Sequence, residues 1–524
     1  MEKNNTPAAE FTLPPPAALP NLALDRTVTT DLAADLTLPD YLPEIRRLLR
    51  VTATPLPDSR YLGPASAEFG GVVEFLVCYA GGDGGLWSTR LRQDYRATTP
   101  IDPDLLAAGI APTADPQLDA IVSRVTGPRK LNIRTRLRSR IRAWGEEEIE
   151  PTLEGDPAPA ALERLTKPCR AMRILRAASE PIDLGADISF DHAEGEVRVI
   201  RADAAVHVSE ALAEQGGILC RGEMLLTLLT CTEHEAGSSL PEQTVRKLAF
   251  AERIPMEGAE TGMAARAWGR CGDIAVTVEE NRVLCDASLW LEAEAADEAS
   301  LALTADLYAT DGDVEDCTYR EVEIERLARC GNLSLTQTLS QTLKESGIDV
   351  RAQILDVSAT PQPNGITAAD GRCTLEGSWR VSVIYLLDGE YAAAELSVPL
   401  QCTLDVGQIL PSAWEAEAVT AGLRWRCDGE GEMRALSIEA ELALAVRLYA
   451  RESRRVLASA VYRPGEGRPQ GLCTVCYPEP GDSVWSICRR YRISRGALMA
   501  ANSLRAGVDC DLPASLEGVQ YLLI

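Results

Sequence analysis

Leu131-Asn132-Ile133-Arg134-Thr135-Arg136-Leu137-Arg138-Ser139-Arg140-Ile141-Arg142 alternates apolar or small residues with polar ones. A period of two is the signature of a strand with one buried face and one face towards water or a partner. Two later stretches repeat the pattern: Val283-Leu284-Cys285-Asp286-Ala287-Ser288-Leu289-Trp290-Leu291-Glu292 and Leu436-Ser437-Ile438-Glu439-Ala440-Glu441-Leu442-Ala443-Leu444-Ala445-Val446. Half-buried alternating strands belong to antiparallel sheets, and a sheet-on-sheet domain is the architecture they predict.

Working outward, each alternating stretch ends a longer repeat. The segments Arg47–Ala53, Arg198–Ala204 and Gln353–Ala359 are short, mainly apolar runs closing on alanine. In each case a glycine follows the alanine by 18 positions: Gly71, Gly222 and Gly377. A β-rich run comes next: Val72–Val77, Glu223–Leu228 and Ser378–Val383. The glycines are 151 and then 155 residues apart, too long for a solenoid unit, so each repeat is a domain in its own right. Glycine entering a strand suits a bulge or a close backbone approach.

A chain of 524 residues exceeds what one hydrophobic core organises. The expected division is a Pro/Ala-rich tail over 1–20, β-rich repeats over 21–155, 160–312 and 318–463, and a small module over 472–524. The fold class is mainly β and multidomain: three β-sandwich-like repeats plus a βααβ module of α+β type. Pro- and Gly-rich linkers are placed at 150–159, 310–313 and 463–469. A short helix is expected over Thr338–Glu345, stopped by Gly347.

The net charge of −26 and pI of about 4.7 repel nucleic acid and anionic headgroups. Against that background the first repeat presents Arg134, Arg136, Arg138 and Arg140 on one strand face. Like charges at this spacing need compensation. Two readings stand: a solvated face neutralised by acids such as Glu146, Glu147 and Glu148, or a face that docks an acidic partner. No run of 18 apolar residues predicts membrane insertion, and the first residues carry no secretory pattern. Fifteen scattered cysteines read as buried thiols, and Cys473-Thr474-Val475-Cys476 has no second pair at zinc-finger spacing.

After residue 470 the pattern changes. Thr474–Tyr477 reads as a strand and Pro480-Gly481-Asp482 as a turn. Ser483 caps a helix with apolar positions at 484, 487, 488 and 491, and a second helix over 495–501 stops at Asn502. Val519–Ile524 closes the module as a strand. Strand–helix–helix–strand in so few residues leaves no room for an active-site cleft.

This module resembles the LysM domain. Pro480–Ile487 is similar to the family's entry turn and first helix, and Tyr491, Ile493-Ser494, Leu498 and Ala501-Asn502 to its second-helix pattern. Gly518 and Leu522–Ile524 are similar to its closing strand. The resemblance implies binding of N-acetylglucosamine polymers through Gly481, Asp482, Ser483 and Val484 on one side and Asn502, Ser503 and Leu504 on the other. The alternative is that Gly481, Trp485 and Asn502 only hold the fold.

Leu38-Pro39-Asp40-Tyr41-Leu42-Pro43-Glu44-Ile45-Arg46-Arg47-Leu48-Leu49 resembles the opening of a domain of unknown function from sporulating Firmicutes. Tandem copies before one LysM resemble SipL-type spore coat morphogenetic proteins. That resemblance implies a non-enzymatic scaffold in the mother-cell cytoplasm at the forespore surface, with a coat-basement ATPase as partner of the LysM. The rival is a cell-wall protein that holds peptidoglycan. No phosphate loop, zinc-protease helix, dinucleotide fingerprint or nucleophile elbow occurs, and three histidines serve the whole chain. No enzyme, cofactor or metal is expected.

Overall fold

Three β-rich units follow one another, each a pair of facing antiparallel sheets. The computed structural model describes residues 18–524 except 108–109, 111, 191–194, 235–236, 280–281, 466–473, 505–510, 512–515 and 517. Most of the tail reading over 1–20, most of the linker reading over 463–469, and His192, Cys473 and Cys510 therefore lie outside the described residues.

In the first unit, β1 (Ala18–Thr37), β5 (Thr113–Gly127) and β6 (Lys130–Glu148) form a sheet in the order β1-β6-β5. The strands β2 (Ile45–Leu62), β3 (Ser66–Gly81) and β4 (Leu86–Pro100) form a meander beside it, and α1 (Pro103–Ala107) links the two. Alternation does the packing: Leu131, Ile133 and Leu137 of β6 face Val73, Phe75, Val77 and Tyr79 of β3 across one core. The short β7 (Thr152–Glu154) leaves this unit for a parallel pairing with the third.

The second unit divides the first-strand position between β8 (Leu162–Ala178) and β9 (Ile182–Ser189), both paired to β15 (Arg282–Ala309). On the other edge of β15 lies β14 (Ala264–Glu279). The facing sheet holds β10 (Glu196–Glu214), β11 (Gly217–His234) and β13 (Glu242–Pro255), with the two-residue β12 (Gly237–Ser238) on its rim. The third unit returns to the plain form. Its sheets are β16 (Gly312–Thr342), β21 (Ala435–Pro464) and β20 (Ala413–Asp428), and β17 (Gln353–Ala369), β18 (Arg372–Leu387) and β19 (Glu390–Asp405).

The repeat glycines occupy one register. Gly71, Gly222 and Gly377 pair with Pro57, Val208 and Pro363, each immediately before a bulge. A Cβ at these glycines would run into the carbonyl oxygen of Leu56, His207 or Gln362. The bulge brings two backbones too close for any side chain, which explains the conserved spacing within this chain.

An earlier bulge also recurs, and it organises the whole molecule. It falls between Leu48 and Arg50, Val199 and Arg201, and Ile354 and Asp356. The residues after it converge: Arg50 Nη1 lies 3.0 Å and Arg201 Nη1 2.6 Å from Asp356 Oδ2, all three buried. Equivalent positions from three units meet at one point, as an approximate threefold axis requires. The units close accordingly, with β4 against β10, β13 against β17, and β19 back against β2.

A second convergence lies among the outer sheets. Cross-strand pairs Arg266–Glu294 and Glu415–Arg447 occupy matching places in units two and three, and Arg142 reaches in from unit one. Glu294 contacts Arg447 at 2.8 Å and both Arg266 and Arg176 at 3.0 Å. Glu415 contacts Arg447 at 3.0 Å and Arg176 and Arg266 at 3.1 Å. Charges this buried are tolerable only because each is paired and hydrogen-bonded.

Two local expectations are corrected. Thr338–Glu345 is not a helix: β16 continues to Thr342, pairing Leu339 with Ile438 and Thr342 with Ala435, before the chain turns through Leu343–Gly347. Pairing with β21 overrides a weak local helical spacing. Nor is 310–313 a spacer, since only Thr310 and Asp311 separate β15 from β16, and Thr310 N donates to Ala161 O at 2.9 Å.

Candidate functional site

Two regions were singled out by their residues, the arginine face of β6 and the C-terminal module. On β6, Arg134, Arg136, Arg138 and Arg140 are all exposed, as the alternation requires. Their compensation is cross-strand. Arg136 pairs with Asp31 at 2.8 Å, Arg138 with Asp119 at 2.9 Å and Arg140 with Asp25 at 2.6 Å. These acids come from β1 and β5, which flank β6, whereas Glu147 pairs elsewhere, with Arg320 at 2.5 Å. The register, which sets Asp31 opposite Arg136, decides this over sequence proximity.

The module begins with β22 (Val475–Cys476), paired to β23 (Leu522–Leu523), and Thr474 and Ile524 exchange backbone hydrogen bonds beyond them. Cys476 and Leu522 point inwards onto Trp485, Ile487 and Cys488 of α2 (Val484–Tyr491) and Leu498 of α3 (Arg495–Ala501). The helices have the expected bounds because their caps are local. Ser483 Oγ accepts from Ser486 N at 3.2 Å while Ser486 Oγ accepts from Ser483 N at 2.9 Å, a reciprocal capping box. Arg492 closes α2 in the left-handed region at φ 51°, and Ser494 caps α3.

The candidate residues separate by what they touch. Asp482 is buried and accepts from Glu479 N at 3.0 Å and Arg490 Nη2 at 2.6 Å; the backbone donor first, then Arg490, hold its carboxyl below the usual range. Ser483 is engaged in the cap and Val484 lies in the core. Asn502 fastens α3 to the sheet: Nδ2 donates to Leu498 O at 2.9 Å and Leu523 O at 2.8 Å, and Oδ1 accepts from Leu523 N at 2.6 Å. Leu504 packs on the core, so Gly481, at φ +100°, and Ser503 are the two left open to solvent.

The helical side of the module rests on the second unit and the start of the third. Trp485 stacks edge-on against Tyr308 with centroids 4.9 Å apart, and its Nε1 donates to Asp306 Oδ2 at 2.8 Å. Arg489 also reaches Asp306, at 2.7 Å, and Arg492 pairs with Asp313. Tyr308 donates to Ile493 O at 2.8 Å, and Glu163 accepts from Arg495 N at 3.2 Å. Sequence reading missed this clamp, because its acids belong to strands distant in the chain and carry no local motif. No helix among the described residues is long and apolar enough to cross a membrane.

Neither the curated proteins nor the solved structures include a match to this chain. Among protein families, the LysM domain matches residues 479–512, and the C-terminal module is therefore a LysM domain.

Proposed function

We propose that the chain is a non-enzymatic binding scaffold whose β-sandwich units carry a LysM domain that binds polymers of N-acetylglucosamine, peptidoglycan among them. The supporting observation is the LysM match on an intact βααβ module whose Gly481 and Ser503 stay open while its helices rest on the body. The absence of enzyme motifs from the sequence supports the non-enzymatic part. The test is co-sedimentation of the full chain with purified peptidoglycan and with chitin, beside a chain ending at Pro464. Retention of the full chain alone is expected; equal retention of both, or of neither, contradicts the reading.

A second reading is favoured by one observation: the polar groups of Asp482, Ser483 and Asn502 are all engaged within the module. A LysM whose groove is committed in this way suits a protein partner. Together with the Leu38–Leu49 resemblance, that supports a spore coat scaffold at the forespore surface of the mother cell, its LysM contacting a coat-basement ATPase. Imaging the tagged protein in sporulating cells tests it: a forespore shell lost on truncation at Pro464 supports it, and an envelope signal in growing cells excludes it.

A further inference from the structure

The LysM domain has a face that neither its own core nor the body covers. Alternation along β22 and β23 sends Cys476 and Leu522 inwards and leaves Val475 and Leu523 outside, 47% and 38% exposed. One residue beyond the ladder on each chain segment stand Tyr477 and Tyr521, 71% and 55% exposed. The exchanged bonds of Thr474 and Ile524 make 475–523 a non-hydrogen-bonded pair, whose side chains stand close together. Every contact named above between module and body falls on the helical side instead: Trp485, Arg489, Arg492, Ile493 and Arg495. The clamp therefore turns this face outwards.

Four uncharged side chains, two of them phenols, form the face. A phenol ring offers a flat apolar surface and a hydroxyl that can bond outward. That combination suits a pyranose ring, which has apolar C–H faces and hydroxyls around its edge. A neutral sugar polymer also meets no repulsion from a chain of net charge −26, whereas a polyanion would. The face is continuous with the candidate groove, because Asn502 is bonded through its side chain to the Leu523 backbone at 2.6 and 2.8 Å.

We infer that Tyr477 and Tyr521, flanked by Val475 and Leu523, form an aromatic platform that takes further sugar rings of an N-acetylglucosamine polymer beyond the groove. The inference rests on the glycan reading above and extends it. A platform beyond the groove contributes only when the ligand is long enough to reach it, so the gain should grow with oligomer length.

The test is calorimetric titration of the full chain with a disaccharide and a hexasaccharide of N-acetylglucosamine. Tyr477→Ala with Tyr521→Ala is expected to weaken hexasaccharide binding by roughly tenfold or more, leaving the disaccharide unchanged. Tyr477→Phe with Tyr521→Phe should keep most of the affinity, since the rings remain. Wild-type binding that the alanine pair does not alter, or alters equally for both ligands, overturns the platform while leaving the glycan reading intact. Wild type that binds neither sugar overturns both. Val475→Arg, on the exposed side of the same sheet, supplies a second variant should the alanine pair fail to fold; unchanged hexasaccharide affinity there also overturns the platform.

Discussion

Glu415 and Glu417 stand two residues apart on β20, on the same face, and meet opposite charge balances. Burial raises the Glu415 carboxyl, but Arg447, Arg142, Arg176 and Arg266 outweigh it and hold it down to about 2. Around Glu417 burial acts first and Asp115 adds like charge; Arg270 and Arg266 oppose them without prevailing, and the carboxyl is pushed up to about 7. The unfolded reference for both is 4.5. Glu415 therefore contributes stability above pH 4.5 that is lost as pH falls towards 2. Glu417 does the reverse, weakening the fold as pH rises from 4.5 to 7. Urea unfolding should show Glu415→Gln less stable by about 3–5 kcal/mol at pH 7, because Arg142 would lose its acid and Arg176, Arg266 and Arg447 would be left to Glu294. Glu417→Gln should match wild type near pH 4.5 and exceed it by about 2–3 kcal/mol at pH 8. An effect of Glu417→Gln independent of pH would contradict this assignment.

At the scale of elements, the bulge glycines give a paired prediction. Gly222→Ala should cost about 1–3 kcal/mol, since its Cβ meets the His207 carbonyl and the strands must part. Gly365, also in a strand, has open space around it and an ordinary φ. Gly365→Ala should be neutral or stabilising by up to about 1 kcal/mol. Thermal unfolding of the two variants checks both signs. The glycines were legible because a bulge leaves a mark at fixed spacing, and the LysM helices because Ser483 and Ser494 cap them locally. The strand at Thr338–Thr342 was not, since its pairing with β21 lies far along the chain. The acids facing Arg136, Arg138 and Arg140 were misplaced for the same reason: Asp25, Asp31 and Asp119 lie on the flanking strands β1 and β5, distant from β6 in sequence.

At the scale of the molecule, the three units are held in a closed arrangement by residues that are equivalent in sequence yet unlike in charge. Two arginines and one aspartate meet where three copies of any one of them would repel. Asp356→Arg should sharply lower the urea midpoint of unfolding, and adding Arg50→Asp should restore part of the loss by re-creating one acid between two arginines. A double variant no better than the single one would show that the position, not the charge balance, matters. None of this convergence was legible in advance, although Arg50, Arg201 and Asp356 sat in the three aligned segments, because alignment reveals equivalence and not proximity. The same body holds the LysM by its helices and leaves Val475, Tyr477, Tyr521 and Leu523 exposed. The most direct measurement is calorimetric titration of the intact wild-type chain with a hexasaccharide of N-acetylglucosamine. The account predicts saturable binding of one sugar chain per protein; no heat at any attainable concentration would contradict it.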